Sequence, residues 1–283
     1  MNNEQIVNIY RENGFAVIPN FLTDEEVDAL LVESENIVRS TNDQNLAVFK
    51  GSTKEANCDD TKYFLESGDK IRFFYEPKAF DENGQLIASK EKCLNKIGHA
   101  LHCLNPIYKS VTFSDKVKEI VKAVGFKKPL ITQSMIIFKN PAIGGEVLPH
   151  QDASYLYTTP EIKLMGFWLA LSDAVEENGC LWFIPKSHKD QLYTRFIRKP
   201  EKSPPLIYTK TMPEFNDNLF VAAPVKKGSC ILIDGLVIHK SEANKSMKPR
   251  PIYTFHIYDS FNTTWAPDNW LQPTDNLPFS PLF

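Results

Sequence analysis

The spacing of apolar residues changes part-way along this chain. Up to about residue 125, apolar positions mostly recur three or four residues apart, the spacing that lines one face of a helix. From Pro129 onward they gather into short runs rich in β-branched and aromatic residues, which are typical of strands. The sequence therefore predicts a single domain over 1–283, with a helical N-terminal part over about 1–125 and a β-rich core over about 129–260.

Local signals mark the ends of the first predicted elements. A helix over 4–13 stops at Gly14, because glycine readily takes the left-handed conformation that ends helices. The apolar run 15–18 predicts a strand. Thr23 and Glu26 then have the spacing of a capping box, which predicts that a second helix begins there.

Two later segments, 95–104 and 114–124, also have a helical pattern, and Gly125 ends the second of them. Residues 40–70 are polar and weakly patterned, so we expect them to run over the surface.

Turn dipeptides, rather than helices, separate the predicted strands of the core. The apolar runs are 130–131, 135–138, 164–171, 181–184, 231–233 and 252–258. The turns are Asn140-Pro141, Asn178-Gly179, Lys227-Gly228 and Asp234-Gly235. Strands that follow one another without helices favour a sandwich or jelly roll over a parallel sheet. The predicted fold class is therefore mainly β with flanking α.

Composition narrows the class of partner. The chain has 283 residues, 42% hydrophobic and 24% charged, values typical of globular proteins. Its formal net charge is −3 and both signs are mixed along it, so we expect no nucleic acid and no membrane surface as partner. The apolar runs are too short to span a bilayer. A small molecule is the expected partner, and the oligomeric state stays open.

The cysteines and the first residues favour a cytoplasmic location. Five cysteines, an odd number without C-x-x-C spacing, argue against a disulfide framework or a zinc ribbon. They are Cys58, Cys93, Cys103, Cys180 and Cys230. Residues 1–22 carry Glu4, Arg11 and Glu12, and we expect no secretory apolar region there. We therefore expect reduced thiols in a cytoplasmic protein.

His150-Gln151-Asp152 is the first candidate for chemistry. Residues two apart on a strand point to the same side, so this imidazole and this carboxylate could reach one metal ion. A surface or loop histidine without a role is the alternative, because so short a motif often arises by chance.

A mononuclear iron(II) oxygenase needs one more histidine to complete a set of two histidines and one carboxylate. His239 follows the apolar run 236–238, and Arg250 opens the strand predicted over 252–258. A guanidinium that enters a buried strand is costly unless it meets a carboxylate, which a dicarboxylic acid cosubstrate could supply. His188 is the rival ligand. We favour His239, because only His239 is followed by the arginine and a strand.

Several motifs follow one another in a set order. They are Gly14-Phe15-Ala16-Val17-Ile18, Phe21-Leu22-Thr23-Asp24-Glu25-Glu26-Val27, His150-Gln151-Asp152, Glu177-Asn178-Gly179-Cys180-Leu181-Trp182-Phe183-Ile184-Pro185-Lys186-Ser187-His188, Lys227-Gly228-Ser229, His239-Lys240-Ser241, Asn244 and Arg250, with Trp265 and Trp270 in the tail. Over nearly the whole chain this set resembles the phytanoyl-CoA dioxygenase family of iron(II)/2-oxoglutarate oxygenases. The resemblance implies a double-stranded β-helix, a jelly roll whose open mouth holds the metal.

The resemblance also assigns roles by position. It implies that His150, Asp152 and His239 bind iron(II). Arg250 would pair with the distal carboxylate of 2-oxoglutarate, with Ser241 assisting.

Lys96, Met135 and Trp168 match positions that line the cosubstrate site in the family. Nothing local demands these roles. Lys96 lies on a predicted helix and could be a solvated lysine, and the other two residues could belong to the core.

The implied reaction couples oxidative decarboxylation of 2-oxoglutarate to succinate with hydroxylation of a small-molecule or acyl substrate. O2 would be the second cosubstrate, and ascorbate is the expected reductant that maintains iron(II). The substrate itself is not indicated by the sequence. A non-oxygenase metal protein on the same fold, either a zinc hydrolase or an inactive binding module, is the alternative function.

One position departs from the family pattern. The family's Pro-Gly-Ser-His turn reads Pro185-Lys186-Ser187-His188 here. If the second position needs a positive φ, Lys186 is strained by about 1 kcal/mol.

Further residues could line the substrate pocket. His256 shares strand parity with Arg250 and could face the interior near the cosubstrate, although a satisfied core histidine is the alternative. We expect His99 and His102 to lie on the surface or to pack helices. The segment 72–76, together with Tyr155 and Tyr157, could shape the substrate pocket or belong to an ordinary aromatic core.

Overall fold

Helices and strands divide the chain broadly as the apolar spacing predicts. The computed structural model describes residues 2–49, 61–199, 201 and 205–283. Within these ranges the helices are α1 (Asn3–Asn13), α2 (Asp24–Ser40), α3 (Thr61–Leu65), α4 (Lys90–Cys93), α5 (Leu101–Leu104), α6 (Pro106–Thr112) and α7 (Asp115–Val124). The strands are β1 (Phe15–Ile18), β2 (Ile71–Tyr75), β3 (Leu94–His99), β4 (Pro129–Ile137), β5 (Val147–His150), β6 (Thr158–Thr159), β7 (Leu164–Ala170), β8 (Leu181–Phe183), β9 (Phe196–Arg198), β10 (Leu206–Tyr208), β11 (Val221–Ala223), β12 (Cys230–Asp234), β13 (His239–Ser241), β14 (Ile252–Asp259), β15 (Thr264–Trp265) and β16 (Ser280–Pro281).

The predicted ends of the early elements are confirmed. α1 ends at Gly14, whose φ of 83° is left-handed, and β1 follows at once. Thr23 begins α2 with a complete capping box. Its Oγ1 accepts a hydrogen bond from the N–H of Glu26 (3.2 Å), and the Glu26 carboxylate accepts one from the N–H of Thr23 (2.9 Å). α7 ends at Gly125, where φ is 106°. These ends depend on residues within one turn, so the local sequence predicts them.

The single helix predicted over 95–104 is wrong. β3 occupies Leu94–His99, and only Leu101–Leu104 is helical. β3 forms because it pairs with β2 on one side and with β4 on the other, so long-range pairing and burial outweigh the local helical pattern.

The expectation that 40–70 runs over the surface holds for 40–46, which are exposed or half-buried, but is wrong for part of the segment. Tyr63 and Phe64 of α3 are buried, and Ala47 is buried as well. Residues 50–60, with Cys58 among them, lie outside the described residues.

Two antiparallel, unclosed sheets form the β core. The main sheet has the order β1-β12-β7-β14-β4-β3-β2, with β16 also paired to β4. The smaller sheet has the order β11-β8-β13-β5. Its strands alternate in sequence with those of the main sheet, as the chain passes repeatedly from one sheet to the other. This is the predicted jelly roll. β1, β2 and β3, which precede residue 125, belong to the main sheet as well.

Alternate residues of the main sheet face two different cores. Phe255 of β14 belongs to the same buried cluster as Leu30 of α2, on the face that the helices cover. On the opposite face, Trp168 of β7 packs with Leu181 and Phe183 of the smaller sheet. Full burial of a side chain of this size contributes about 1.5–3 kcal/mol relative to exposure. The helices therefore close one face of the main sheet, and the space between the two sheets holds the candidate site.

The described cysteines form no disulfide. Cys93, Cys103, Cys180 and Cys230 are free thiols, whereas Cys58 is outside the described ranges. Among the helices of the described residues, none combines the length and the apolar character needed to cross a bilayer.

Candidate metal centre

His150 and Asp152 come together at a sharp change of direction. His150 is the last residue of β5, and Asp152 begins a short 3-10 turn, Asp152–Ser154. The sequence predicts that both residues lie on one strand. That prediction is wrong, because the strand ends at His150. Between the two residues, the side chain of Gln151 is fully buried. Its amide nitrogen donates to two backbone carbonyls (2.8 and 3.1 Å), and its oxygen accepts from the N–H of Tyr193 (3.0 Å). Gln151 thus holds the turn that aims both neighbouring side chains inward.

His239 reaches the same point from the adjacent strand. It opens β13, which pairs with β5 so that His239 lies directly opposite His150. The two ring centroids are 4.2 Å apart. Nε2 of each imidazole lies 3.7 Å from Oδ1 of Asp152. The strand register therefore brings three ligand-type side chains to one point.

Backbone carbonyls determine which nitrogen of each ring is free. Nδ1 of His150 is 2.9 Å from the carbonyl oxygen of Leu148, and Nδ1 of His239 is 3.1 Å from that of Val237. A carbonyl can only accept, so each Nδ1 carries the proton and each Nε2 presents a lone pair. Both lone pairs and Asp152 point to a common centre, with ligand atoms within 4.8 Å of one another. The donor set and its backbone supports fit a divalent metal such as iron(II) or zinc.

A third histidine contacts the carboxylate from the other side. Nε2 of His256 donates to Oδ2 of Asp152 (3.2 Å), and the Gln133 amide nitrogen lies 3.4 Å from Nδ1 of His256. His256 therefore faces the interior, as strand parity predicts, and it is paired there. Oδ2 is engaged by His256, which leaves Oδ1 toward the centre.

Burial and neighbouring charge keep the ligands in their metal-binding forms. Burial alone would raise the pKa of Asp152, but the imidazoles of His256, His239 and His150 outweigh it and hold that pKa well below its ordinary value. Burial, followed by the effect of His239, lowers the pKa of His150 to about 4. At neutral pH the centre thus holds an ionised carboxylate and a neutral His150 imidazole.

His188 lies elsewhere. Its Nε2 is 3.0 Å from the backbone carbonyl of Arg11 in α1, and it is not among the described residues whose ligand atoms converge. The turn before His188 has the left-handed backbone that the family's glycine at this position would favour. Lys186 has φ 70°, the left-handed value that glycine would take without strain. The substitution therefore affects a turn beside α1, and not the metal centre.

A cavity of about 500 Å³ opens beside the converging ligands. All of the residues predicted to contact the cosubstrate lie in its wall. They are Lys96, Met135, Trp168, Ser241 and Arg250.

Arg250 is the unusual member of this wall. Its side chain is 2% exposed, and within the described ranges its Nε and Nη1 have no hydrogen-bond partner. No Asp or Glu among the described residues forms an ion pair with it. The guanidinium carbon lies 5.3 Å from the centre of the Trp168 ring, a cation–π distance. Burial lowers the pKa of Arg250 to about 10, so it remains charged at neutral pH. An unpaired buried cation is costly, and an anionic ligand in the cavity would remove that cost.

Two of the other wall residues differ from expectation. Lys96 lies on β3, not on a helix, and is buried, so the reading of a solvated lysine is wrong. Its Nζ lies 3.3 Å from the centre of the Phe49 ring. The hydroxyl of Ser241 donates to the carbonyl of Gly179 (2.9 Å). Gly179 has φ 84°, and a side chain there would press against the Glu242 carbonyl, so this turn favours glycine.

The cavity includes some of the residues that the sequence suggested for the pocket and others that it did not. Neither His99 nor His102 is on the surface. His102 contacts Ser134 in the core, and His99 lines the cavity. Glu76 and Tyr155 also line it, whereas Arg72 and Tyr157 do not. Aromatic and aliphatic residues from distant segments complete one wall: Phe49, Phe64, Leu156, Phe196, Leu206, Tyr208 and Trp270. No periodic signal connects these segments, because the fold alone brings them together.

Known proteins share both the sequence and the fold. The family profile described as Phytanoyl-CoA dioxygenase (PhyH) matches residues 10–252. The chain is 48% identical to phytanoyl-CoA dioxygenase domain-containing protein 1 of Danio rerio, over 99% of this chain and 98% of that protein. It is 46% identical to the Bos taurus protein of the same name, over 97% of this chain and 96% of that protein.

Two solved structures have a similar fold. One is the epimerase SnoN in complex with Fe3+, alpha ketoglutarate and nogalamycin RO, with a TM-score of 0.65, 14% identity, and coverage of 99% of this chain and 98% of that chain. The other is EctD from S. alaskensis in its apoform, with a TM-score of 0.66, 16% identity, and coverage of 98% and 84%. At these identities the likeness concerns the fold alone. Because the family profile and the relatives span most of its length, this chain belongs to the phytanoyl-CoA dioxygenase (PhyH) family.

Proposed function

We propose that this protein is an iron(II)/2-oxoglutarate-dependent dioxygenase that hydroxylates a small-molecule or acyl substrate. The observation that carries the proposal is the pairing of a metal-type ligand set with a buried, unpaired arginine in one cavity. The three ligands supply the place for a divalent metal. Arg250 supplies a matching place for a carboxylate.

Within this proposal each residue has a distinct role. His150, Asp152 and His239 hold iron(II) through Nε2, Oδ1 and Nε2, while the backbone carbonyls behind the imidazoles keep their tautomers. Arg250 pairs with the distal carboxylate of 2-oxoglutarate, and the Trp168 ring packs against the guanidinium.

Met135 and Lys96 lie in the same wall and would contact the cosubstrate there. Ser241 would assist only after its hydroxyl releases the Gly179 carbonyl.

The bound iron(II) would supply redox chemistry in which 2-oxoglutarate and O2 become succinate and CO2, while a substrate C–H bond becomes C–OH. The chain's own contribution is orientation and exclusion of water. The apolar wall keeps the reacting C–H group away from solvent, and the cavity volume of about 500 Å³ suits a small molecule or one part of a longer acyl chain. Ascorbate remains the expected reductant for iron(II).

Names of relatives and neighbours support the same reading. The similar proteins of Danio rerio and Bos taurus are named for a phytanoyl-CoA dioxygenase domain. The similar SnoN structure contains Fe3+ and alpha ketoglutarate. Since one fold hosts many reactions, the substrate is left open by these names.

A zinc hydrolase is the rival that the ligand set allows, because two histidines and a carboxylate also suit zinc. Arg250 favours the oxygenase. A hydrolytic zinc site has no need of a buried guanidinium in the cavity wall, whereas a dicarboxylic cosubstrate does.

Anaerobic titration tests the proposal. Addition of iron(II) and then 2-oxoglutarate is expected to produce a weak visible charge-transfer band, which neither zinc nor an inactive binding module would give. On admission of O2, conversion of 2-oxoglutarate to succinate is expected to rise when a metabolite extract is added, with a product heavier by one oxygen. The Asp152→Ala variant, folded by circular dichroism, should give neither band nor turnover. Absence of the band in the wild-type protein, or full turnover in the variant, would contradict the assignment.

A further inference from the structure

A residue that lines the cavity has a buried nitrogen without a hydrogen-bond partner in the part of the chain that the structure describes. His99, at the end of β3, is 1% exposed and lines the cavity. Its Nδ1 lies 2.7 Å from Oγ of Ser67. Its Nε2 is buried and has no hydrogen-bond partner among the described residues. A buried nitrogen left unpaired costs about 1–3 kcal/mol, so a partner is expected when the cavity is filled.

The Ser67 hydroxyl determines which nitrogen of His99 carries the proton. Ser67 Oγ lies 2.5 Å from the backbone carbonyl of Phe64, which can only accept, so the serine proton points there. Oγ must therefore accept from Nδ1–H of His99. It follows that Nε2 holds a lone pair and can serve only as an acceptor.

The surroundings keep this imidazole neutral. Burial, with the positive charge of Lys96 as the next contribution, lowers the pKa of His99 well below its ordinary value. His99 lies among the rings of Phe64, Phe74 and Trp270, at centroid distances of 5.8, 5.5 and 5.0 Å. Nε2 of the neutral ring is thus an acceptor beside a cluster of aromatic rings, with the Lys96 ammonium among its charged neighbours.

Neither the metal nor the cosubstrate can satisfy that lone pair. His99 is not one of the described residues whose ligand atoms converge on the metal position. 2-Oxoglutarate at neutral pH has carboxylates and a ketone but no O–H or N–H, so it has nothing to donate. A plain hydrocarbon chain, an ester or a thioester has no such donor either.

We propose that His99 is a specificity-determining residue whose Nε2 accepts a hydrogen bond from an O–H or N–H group on the substrate. The substrate class is an apolar molecule, seated against Phe64 and Trp270, that carries an alcohol, phenol or N–H donor. This inference rests on the proposed function, because it places the donor on the molecule to be hydroxylated. Sites that provide a hydrogen bond to a substrate group discriminate strongly against analogues that lack it.

Matched probe pairs test the donor requirement. The pairs are 2-naphthol with 2-methoxynaphthalene, and indole with 1-methylindole, so that each pair differs mainly in one donor. Binding is measured by calorimetry on zinc-loaded protein, with and without 2-oxoglutarate. Zinc is diamagnetic, so nitrogen NMR of the histidine rings can be recorded on the same samples. We expect each donor to bind at least about fivefold more tightly than its methylated partner.

Nitrogen NMR reports on His99 directly. In the free protein, Nε2 of His99 is expected to give a pyridine-type resonance and Nδ1 a pyrrole-type one. The donor probe should shift the Nε2 resonance, and the methylated probe should not. A pyrrole-type Nε2 in the free protein would overturn the proposal, because that nitrogen could not accept.

Three variants separate a specific contact from a structural effect. His99→Phe keeps an aromatic ring among aromatic neighbours, and its donor preference should fall to about onefold. Ser67→Ala frees the tautomer without touching the cavity wall, and it should reduce the preference in part. His102→Phe removes another buried histidine, one that contacts Ser134 and does not line the cavity. Its preference should equal that of the wild type.

The outcomes are distinct. Equal affinity within both pairs in the wild type overturns the proposal, because a donor on the probe would then gain nothing from Nε2. Failure of all four probes to bind also overturns it. An unchanged preference in folded His99→Phe also overturns it. If 2-oxoglutarate fails to bind while the donor preference persists, the proposed function fails and the role of His99 stands.

Discussion

Nε2 of His256 lies 3.2 Å from Oδ2 of Asp152, so the two oxygens of this carboxylate have different partners. Oδ2 accepts from His256, while Oδ1 lies 3.7 Å from the free nitrogens of His150 and His239. His256 stands on β14 of the main sheet, whereas His150 and His239 stand on the smaller sheet. The hydrogen bond therefore ties the metal centre to both sheets.

His256 should determine how well Asp152 binds metal. His256→Leu removes the donor, so the carboxylate can rotate, and loss of such a supporting contact typically costs 10- to 100-fold in metal affinity. His256→Gln can still donate an N–H and should recover part of the affinity. Competition for iron(II) against a chelator of known affinity measures both variants. Equal metal affinity in wild type and His256→Leu would show that Asp152 is held by other contacts.

His239 and His188 should differ in their effect on metal content. His239→Ala removes one Nε2 of the converging set and should lose iron during purification. His188→Ala removes a contact with the Arg11 carbonyl and should retain iron, with at most a lower melting temperature. Metal analysis of the purified variants checks this, and the reverse pattern would reassign the ligand to His188.

Arg250 should control affinity for 2-oxoglutarate. Truncating one partner of a buried, hydrogen-bonded charge pair costs about 2–5 kcal/mol, so Arg250→Ala should weaken 2-oxoglutarate binding by at least about thirtyfold. Arg250→Lys should recover only part of this loss, because an ammonium keeps the charge but not the planar fork. Calorimetric titration of 2-oxoglutarate into the iron-loaded, anaerobic variants gives the affinities.

Iron affinity is the control for that experiment. Arg250 is not a ligand, so iron should bind the Arg250→Ala variant as it binds the wild type. If Arg250 instead served only to stabilise the fold, the variant would melt earlier while its affinity for 2-oxoglutarate stayed the same.

Lys139 should make the stability of the protein depend on pH. Its Nζ donates to the carbonyls of Gly145 (2.7 Å) and Glu242 (2.6 Å), and burial, with the charge of Arg250, lowers its pKa to about 7. An unfolded lysine has a pKa of about 10.4. Between these values the unfolded chain holds a proton that the folded protein has released, so the free energy of unfolding rises with pH. The contribution of one such group is at most about 1.4 kcal/mol per pH unit.

Denaturant unfolding of Lys139→Met between pH 7 and 9 tests this linkage. The variant should lack the part of the pH slope that Lys139 contributes, whereas Lys128→Met, at an exposed position, should keep the wild-type slope. A wild-type slope in Lys139→Met would mean that the buried lysine stays protonated across this range.

The sequence by itself determined the features that depend on neighbours along the chain. Gly14 and Thr23 end and begin helices through contacts within one turn, and both were predicted from local spacing. The turn-separated apolar runs after Pro129 favoured a sandwich or jelly roll, and the family resemblance implied the jelly roll. The order of His150, Asp152, His239 and the later Arg250 predicted the metal centre and its cosubstrate contact through the family resemblance.

The tertiary structure alone decided where long-range contacts overrule local pattern. Residues 95–104 have a helical spacing, yet Lys96 lies on a strand, because β2 and β4 offer hydrogen-bond partners on both sides. His256 could be placed on the inner face by parity, but its bond to Asp152 depends on strands that lie about a hundred residues apart along the chain.

No local sequence pattern predicted that Nε2 of His99 is a hydrogen-bond acceptor. Its protonation depends on hydrogen bonds from His99 to Ser67 and from Ser67 to the Phe64 carbonyl, and its aromatic surroundings depend on where Phe64 and Trp270 pack. Local interactions select turns, caps and strands, since their energies depend on nearby residues. The pairing of buried polar groups depends on which distant atoms the folded chain places within about 3 Å, and only the assembled sheets decide that.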